Sequence, residues 1–307
     1  MNKSLIILFL SFLTIACTSN KQTEQAEFNV ATYNLRQLNA GDSAAGNRWG
    51  NRHPVIASLI NFHGFDIFGT QEGFKVQLED LKKDLPGYEY IGVGRDDGKE
   101  AGEHSAIFYR TDLFDLIDHG DFWLSETPET PGLGWDAACV RICTWGKFRH
   151  KPSGKEFLFF NLHMDHVGTV ARVESAKLVK QRINEIGGGA PAFVTGDFNV
   201  DQRNPSYDTF VGDGALKDSY ETTDFRYALN GTFNNYSTEG FTDSRIDHIF
   251  TTPDVKVKKY GVLTDTYRSA EAPEGMETKD APKEIELQTY KARTPSDHFP
   301  VMIHVAL

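Results

Sequence analysis

The segment "FVTGDFNVD", residues 193 to 201, ends an apolar run in Asp197 and Asn199. A buried ionised carboxylate is costly unless a cation or hydrogen-bond donors compensate it. The pair is therefore either a turn or part of a site. The same junction recurs along the chain. Asn34 closes "FNVATYN", Glu72 follows "FDIFGTQ", and His163 and Asp165 end "KEFLFFNLHMDH". Asp247 and His248 lie inside "RIDHIF", while Asp297 and His298 open "SDHFPVMIHVA". Each alone reads as a turn residue or a helix cap. If the apolar runs are neighbouring strands, their polar ends converge on one rim.

Such a set has a chemical use. Glu72 and Asp297, with the amide of Asn34, offer the oxygen ligands that a hard cation prefers, magnesium first and manganese as its substitute. The chain has no Cys/His cluster at zinc spacing. Two histidines, His163 and His298, can donate to phosphate oxygens and move protons, and Asp247 can orient one of them. A carboxylate beside an amide, Asp197 and Asn199, can hold a water and an oxyanion together. This is equipment for hydrolysing a phosphate ester. The other histidines His53, His63, His119 and His150 read as structural or surface residues.

The elements that must carry these residues alternate between strand-like and helix-like patterns. "RHPVIASLINFHG" has helical spacing, with Pro54 expected in its first turn and Gly64 past its end. A hairpin is expected from "CVRICTWGKFRH" and "KEFLFFNLHMDH" about the turn "KPSG", and the longest helix from "VARVESAKLVKQRINEI". The polar stretch "SAEAPEGMETKDAPKEIELQTYKARTP" reads as a surface excursion between the last two strands. Strands outnumber helices and several are joined as hairpins, which predicts packed sheets with helices outside. Cys139 and Cys143 fall in a strand-like segment, where four residues span roughly 13 Å, too far for a disulfide. They are expected to be core thiols.

The start of the chain, "MNKSLIILFLSFLTIAC", has the charge and apolar run of an export signal and is short for a membrane span. Its ending resembles a bacterial lipid-attachment site at Cys17, although Thr14 stands where leucine is usual. A polar tether, residues 18 to 26, would then join the anchor to one domain, residues 27 to 307. The formal net charge is −11; losing the first sixteen residues removes only Lys3, leaving 31 basic against 43 acidic side chains, about −12. That balance disfavours non-specific binding to nucleic acid, without excluding a nuclease that has a local metal site.

In order, "TYN", "TQEG", "NLHMDH", "GDFN", "RIDHIF" and "SDHFP" resemble the motifs of the endonuclease/exonuclease/phosphatase superfamily, over about residues 28 to 306. The resemblance implies a four-layer α/β sandwich, two mixed β-sheets face to face with helices on both outer faces. It further implies Glu72 as the main magnesium ligand, assisted by Asn34 and Asp297. Asp197 would activate water, Asn199 stabilise the phosphoryl oxygen, His298 with Asp247 bind phosphate, and His163 bond the phosphate or the leaving oxygen. Asp165 matches a position often acidic in bacterial members and is assigned to substrate binding. Thr70 replaces the family's usual leucine, a packing change.

"GEHSAIFYR" and "FWLSETPETPGLGWDAACVRICTW" resemble a bacterial subgroup closer to deadenylases and nocturnin than to repair nucleases. Trp135 and Arg141 are expected in the substrate pocket, for stacking and phosphate contact. The substrate classes left open are nucleic acid, nucleotide, sugar phosphate and phospholipid or inositol phosphate head group, acted on by a monomer. A non-catalytic glycan-binding surface lipoprotein is the rival class, and it leaves the polar strand ends unexplained.

Overall fold

The computed structural model describes residues 25–227, 229–276 and 280–307. The apolar leader, Cys17 and nearly all of the tether lie outside the described residues. In chain order the elements begin with β1 (Glu27–Asn34), α1 (Ala40–Ala44), α2 (Trp49–His63), β2 (Ile67–Gln71), α3 (Lys75–Asp84), β3 (Tyr88–Ile91) and β4 (Ile107–Arg110). Next come β5 (Phe114–Trp123), β6 (Ile142–His150), β7 (Glu156–His163), α4 (Thr169–Gly187), β8 (Ala192–Asp197) and α5 (Pro205–Val211). The chain continues through β9 (Lys217–Asp218), β10 (Arg226–Tyr227), β11 (Asp247–Thr251), β12 (Lys256–Val262), β13 (Tyr267–Met276), β14 (Leu287–Arg293) and β15 (Val301–Ala306).

Seven strands form one sheet in the order β10-β12-β15-β1-β2-β4-β3, and six form a second, β5-β6-β7-β8-β11-β9. Each is mixed: β1 runs parallel to β2 and antiparallel to β15, and β7 runs parallel to β8, which opposes β11. Strand alternation sorts the side chains into layers. On β1, Phe28 and Val30 enter the core between the sheets, while Ala31 and Tyr33 pack toward α2 and α3. On β7, Phe157 and Phe159 face the same inner core, and Leu158, Phe160 and Leu162 pack under α4 and α5. The expected four-layer sandwich of two mixed sheets with helices outside is what forms.

Three local expectations change. Helix α2 starts at Trp49, so Pro54 lies inside it rather than in the first turn. The extra turn is held because Trp49 donates to Asp80 and Arg52 is buried against backbone carbonyls. Gly64 does cap the helix, in the left-handed conformation that favours glycine. Strand β6 begins only at Ile142, so Cys143 is buried but Cys139 is in a loop and partly exposed; both thiols are free. The polar excursion contains a two-stranded ribbon of β13 and β14. No helix among the described residues is long and apolar enough to cross a membrane.

Candidate active site

The inner faces of the strands change character along their length. β1 reads Phe28, Val30, Thr32, Asn34; β7 reads Phe157, Phe159, Asn161, His163; β8 reads Phe193, Thr195, Asp197. The pairing puts His163 beside Asp197 and Asp197 beside Asp247, and Asn34 beside Gln71. Apolar residues thus fill the middle of the sandwich, and acids, amides and imidazoles close one end.

Between them lies a buried polar layer. Gln71 donates to Thr32 Oγ1 at 3.0 Å and to Asn161 Oδ1 at 2.7 Å; Thr195 Oγ1 donates to the same oxygen at 3.0 Å. Asn161 Nδ2 crosses to the other sheet and donates to the carbonyls of Thr70 and Ala106. The crossing requires Gly69, because a Cβ there would stand 2.1 Å from Asn161 Oδ1. Gln71 and Asn161 lie within the motifs "TQEG" and "NLHMDH", but nothing in the sequence joined them with Thr32 and Thr195 into a layer.

Above the layer, Asn34 Nδ2 donates to Glu72 Oε1 at 3.1 Å and Asp197 Oδ2 at 3.0 Å, and its Oδ1 accepts from the Arg36 N–H. Glu72 Oε2 accepts from the Gln37 N–H. Glu72 and Asn199 adopt left-handed φ angles of 65° and 52°, a conformation that costs a residue with a Cβ and is often held at functional sites. The guanidinium of Arg52, buried, donates to the carbonyls of Leu35, Arg36 and Pro295 and so ties the loop after β1 to the loop before β15. That tie brings Asp297 to Asn34 and Glu72. Carboxylate oxygens of Glu72 and Asp197 and a ring nitrogen of His298 come within 4.8 Å of one another.

The two histidines are in opposite states. Burial lowers His163 to about 3, helped by Arg141 nearby. Its neutral ring accepts at Nε2 from Asn199 Nδ2, 3.1 Å away. For His298 burial also opposes charge, but Asp247, Asp197 and Asp297 outweigh it and raise the group to about 10. Its Nδ1 donates to Asp247 Oδ2 at 2.8 Å, and Nε2 faces Asp197 Oδ2 at 3.8 Å. Burial, with Asp247 beside it, raises Asp197, and burial with Glu72 nearby raises Asp297 to about 6. Burial acts against the Glu72 anion too, yet the Gln37 N–H and the charged His298 keep it below its ordinary value.

A cleft of about 460 Å³ opens over these groups, bounded on one side by Arg95, Glu103 and Arg141 and on the other by Phe233 and Asn235. It brings Glu72, His163, Asp197, Asn199, Asp297 and His298 together, with Arg141 in the wall as expected. Asn34 and Asp247 sit directly behind them. Two placements differ from the sequence reading, those of Asp165 and Trp135. The Asp165 carboxylate is taken up by the N–H groups of Ala138, Cys139, Val167 and Gly168, which outweigh burial and hold it well below the carboxylate range. It shapes the loop that carries Arg141 and does not line the cleft. Trp135 lines a separate groove against α4, with its N–H bonded to Glu126. His248 points to the opposite face of β11 from Asp247 and donates Nε2–H to Val200 O, against Phe250 and Tyr207. Both amide hydrogens of Asn199 are engaged, by Met164 O and His163, so it orients the imidazole. Arg36, Arg95, Glu103, Cys139 and His166 line the cleft without having been singled out. Arg36, two residues after Asn34, His166, next to Asp165, and Glu103 and Cys139, inside the quoted segments "GEHSAIFYR" and "FWLSETPETPGLGWDAACVRICTW", carried a usable cue; Arg95 did not.

Residues 31–298 match the Endonuclease/Exonuclease/phosphatase family. The chain belongs to that family. Members are hydrolases of phosphate esters, nucleases and phosphatases, and this protein is one such hydrolase. An endonuclease/exonuclease/phosphatase family protein from Bacteroides thetaiotaomicron is 59% identical with a TM-score of 0.86, over 92% of this chain and 99% of that one. A mannosyl-6-phosphatase of Bacteroides thetaiotaomicron VPI-5482 is 60% identical with a TM-score of 0.84, over 91% of this chain and 100% of that one. The human nocturnin catalytic domain, at 17% identity and a TM-score of 0.61 over 91% of this chain and 93% of that one, shares the family fold alone.

Proposed function

We propose that this family member is an exported, magnesium-dependent phosphatase that removes a phosphate monoester from a sugar. The cleft carries the reading. Its arginines are each set against an acid, Arg36 against Asp42 and Asp297, Arg95 against Glu103, and Arg141 against Asp165. On a chain of net charge −11 that leaves room for one phosphate and little to attract a run of them. The sugar monoester is further supported by the 60% identity to a mannosyl-6-phosphatase. Export and a lipid anchor rest on the leader-like run ending at Cys17.

The donor set suits magnesium. Glu72 and Asp297 are neighbouring acids turned into the cleft, and burial with the Glu72 charge beside it raises Asp297 to about 6 despite Arg36, a crowding of negative charge that a divalent cation would relieve. Asn34 would join them once its amide turns to present Oδ1. When bound, the ion neutralises charge on the phosphoryl oxygens. Asp197, raised and therefore a better base, takes a proton from the attacking water. The water oxygen bonds to phosphorus, the bond to the sugar oxygen breaks, and that oxygen is protonated from solvent. His298, held as imidazolium by Asp247, donates Nε2–H to the phosphoryl group, and His163, whose Nε2 accepts from Asn199, lines the cleft beside it.

The test is a panel of mannose 6-phosphate, a nucleotide, single-stranded DNA and RNA, and sphingomyelin, each with magnesium and with excess chelator. Release of inorganic phosphate from the sugar, abolished by chelator, is expected. Cleavage of the nucleic acids without that release, or full activity in chelator, would overturn the proposal.

A further inference from the structure

Beside the cleft, on the His298 side, lies a recess of about 340 Å³ lined by Phe233, Asn234, Asn235, Phe241, Thr242 and Ile246, among others. Phe233, Asn235 and Ile246 belong to both, so the two spaces are continuous. The recess is built in an unusual way for an outer surface. Phe241 is 75% exposed and Phe233 43%, a pair of aromatic side chains left facing water next to a polar site. Phe233 is held in place edge-on to His298, ring centres 5.1 Å apart. Asn234 is 5% exposed; its Oδ1 accepts from the Tyr236 N–H and Thr294 Oγ1, while its Nδ2 has no partner among the described residues. Asn235 and Tyr236 both take left-handed φ angles, 52° and 58°, with the Asn234 and Asn235 N–H groups bonded to the Asp297 carbonyl. The segment is thus locked to the loop that carries Asp297 and His298.

We propose that this recess is a subsite for a second, uncharged sugar ring, so that the substrate is a phosphorylated oligosaccharide rather than a free sugar phosphate. This rests on the sugar phosphatase reading and names its substrate class. Exposed aromatic faces with amide and hydroxyl groups between them fit the apolar faces and hydroxyl edges of a hexose. No residue lining the recess is charged. A nucleic acid could stack a base there, but the guanidinium nearest the recess, Arg203 on Ser244, is already paired with Asp201 and Asp243 and leaves no free cation for its next phosphate, whereas a glycan carries no further charge. The phosphorylated ring would occupy the cleft, and the ring glycosidically joined to it would lie over Phe233 and Phe241.

The experiment compares mannose 6-phosphate with a 6-phosphomannosyl-mannose disaccharide and a 5′-phosphorylated dinucleotide, in the wild type and in Phe241→Ala. Phe241 touches none of the reacting groups and is largely exposed, so its removal leaves the fold and basal hydrolysis intact. The wild type is expected to favour the disaccharide by about tenfold in kcat/KM, mostly through KM, as one well-formed contact surface would give. Phe241→Ala should lose that preference while mannose 6-phosphate stays within about twofold. Equal efficiency on both sugars, equal losses on both in the variant, or preference for the dinucleotide would overturn the subsite. Hydrolysis of both sugars without preference would leave the sugar phosphatase reading standing. Failure to hydrolyse either sugar would overturn both.

Discussion

Asp247 and His298 stand 51 residues apart, yet their side chains meet at 2.8 Å. The pair faces the cleft only through His298, with Asp247 behind it and donating its own backbone N–H to the Thr232 hydroxyl oxygen. If they act as one unit, removing either should cost nearly as much turnover as removing both. A cycle of Asp247→Asn, His298→Ala and the double variant, read in kcat and thermal stability, is expected to show each single losing about 10²-fold or more and the double losing little beyond that. Rate losses that multiply, or singles with near-normal kcat and lowered stability, would mark a purely structural ion pair. The residue types at this rim were legible because acids and imidazoles interrupt apolar runs. Arg95 was not, because nothing in its local pattern distinguishes it from an ordinary surface arginine.

The strands do more than carry these groups. Their inner faces pass from phenylalanine through a layer of Thr32, Gln71, Asn161 and Thr195 to the acids, and that middle layer joins the two sheets by hydrogen bonds. Asn161 is its centre, and Gly69 makes its crossing available. Gly69→Ala would push a methyl group to 2.1 Å from Asn161 Oδ1, so either the asparagine moves and strands buried partners or the sheets separate. A loss of about 2–4 kcal/mol in stability is expected, read from denaturant midpoints, together with reduced kcat as Gln71 and its neighbour Glu72 shift. A loss under about 0.5 kcal/mol would show that the layer is plastic and does not position the rim.

The molecule as a whole is acidic, compactly layered and open at one end. Its proposed place at the cell envelope depends on Cys17. Cys17→Ser should move the protein from the membrane fraction to a soluble exported form, because a stable anchor needs more than one acyl chain and a lipoprotein cysteine supplies them. Wild-type protein already soluble, with its mature N-terminus at another residue, would overturn the anchor.

Sequence alone was sufficient for the layered class, the family and most of the acids and histidines that close the sandwich, though not for Glu103 or His166. Alternation and short motifs are local properties, and each survives in the order of residues. It set Asp247 apart from His248 only through the family resemblance, since the motif alone does not say which face of the strand turns inward. Nor could it show that Asp165 is spent on backbone N–H groups, that Trp135 lies against α4, or that both amide hydrogens of Asn199 are already engaged. Those outcomes depend on which partners the folded chain brings within hydrogen-bond reach, from loops as far apart in sequence as Leu35 and Pro295, both held by the single buried guanidinium of Arg52.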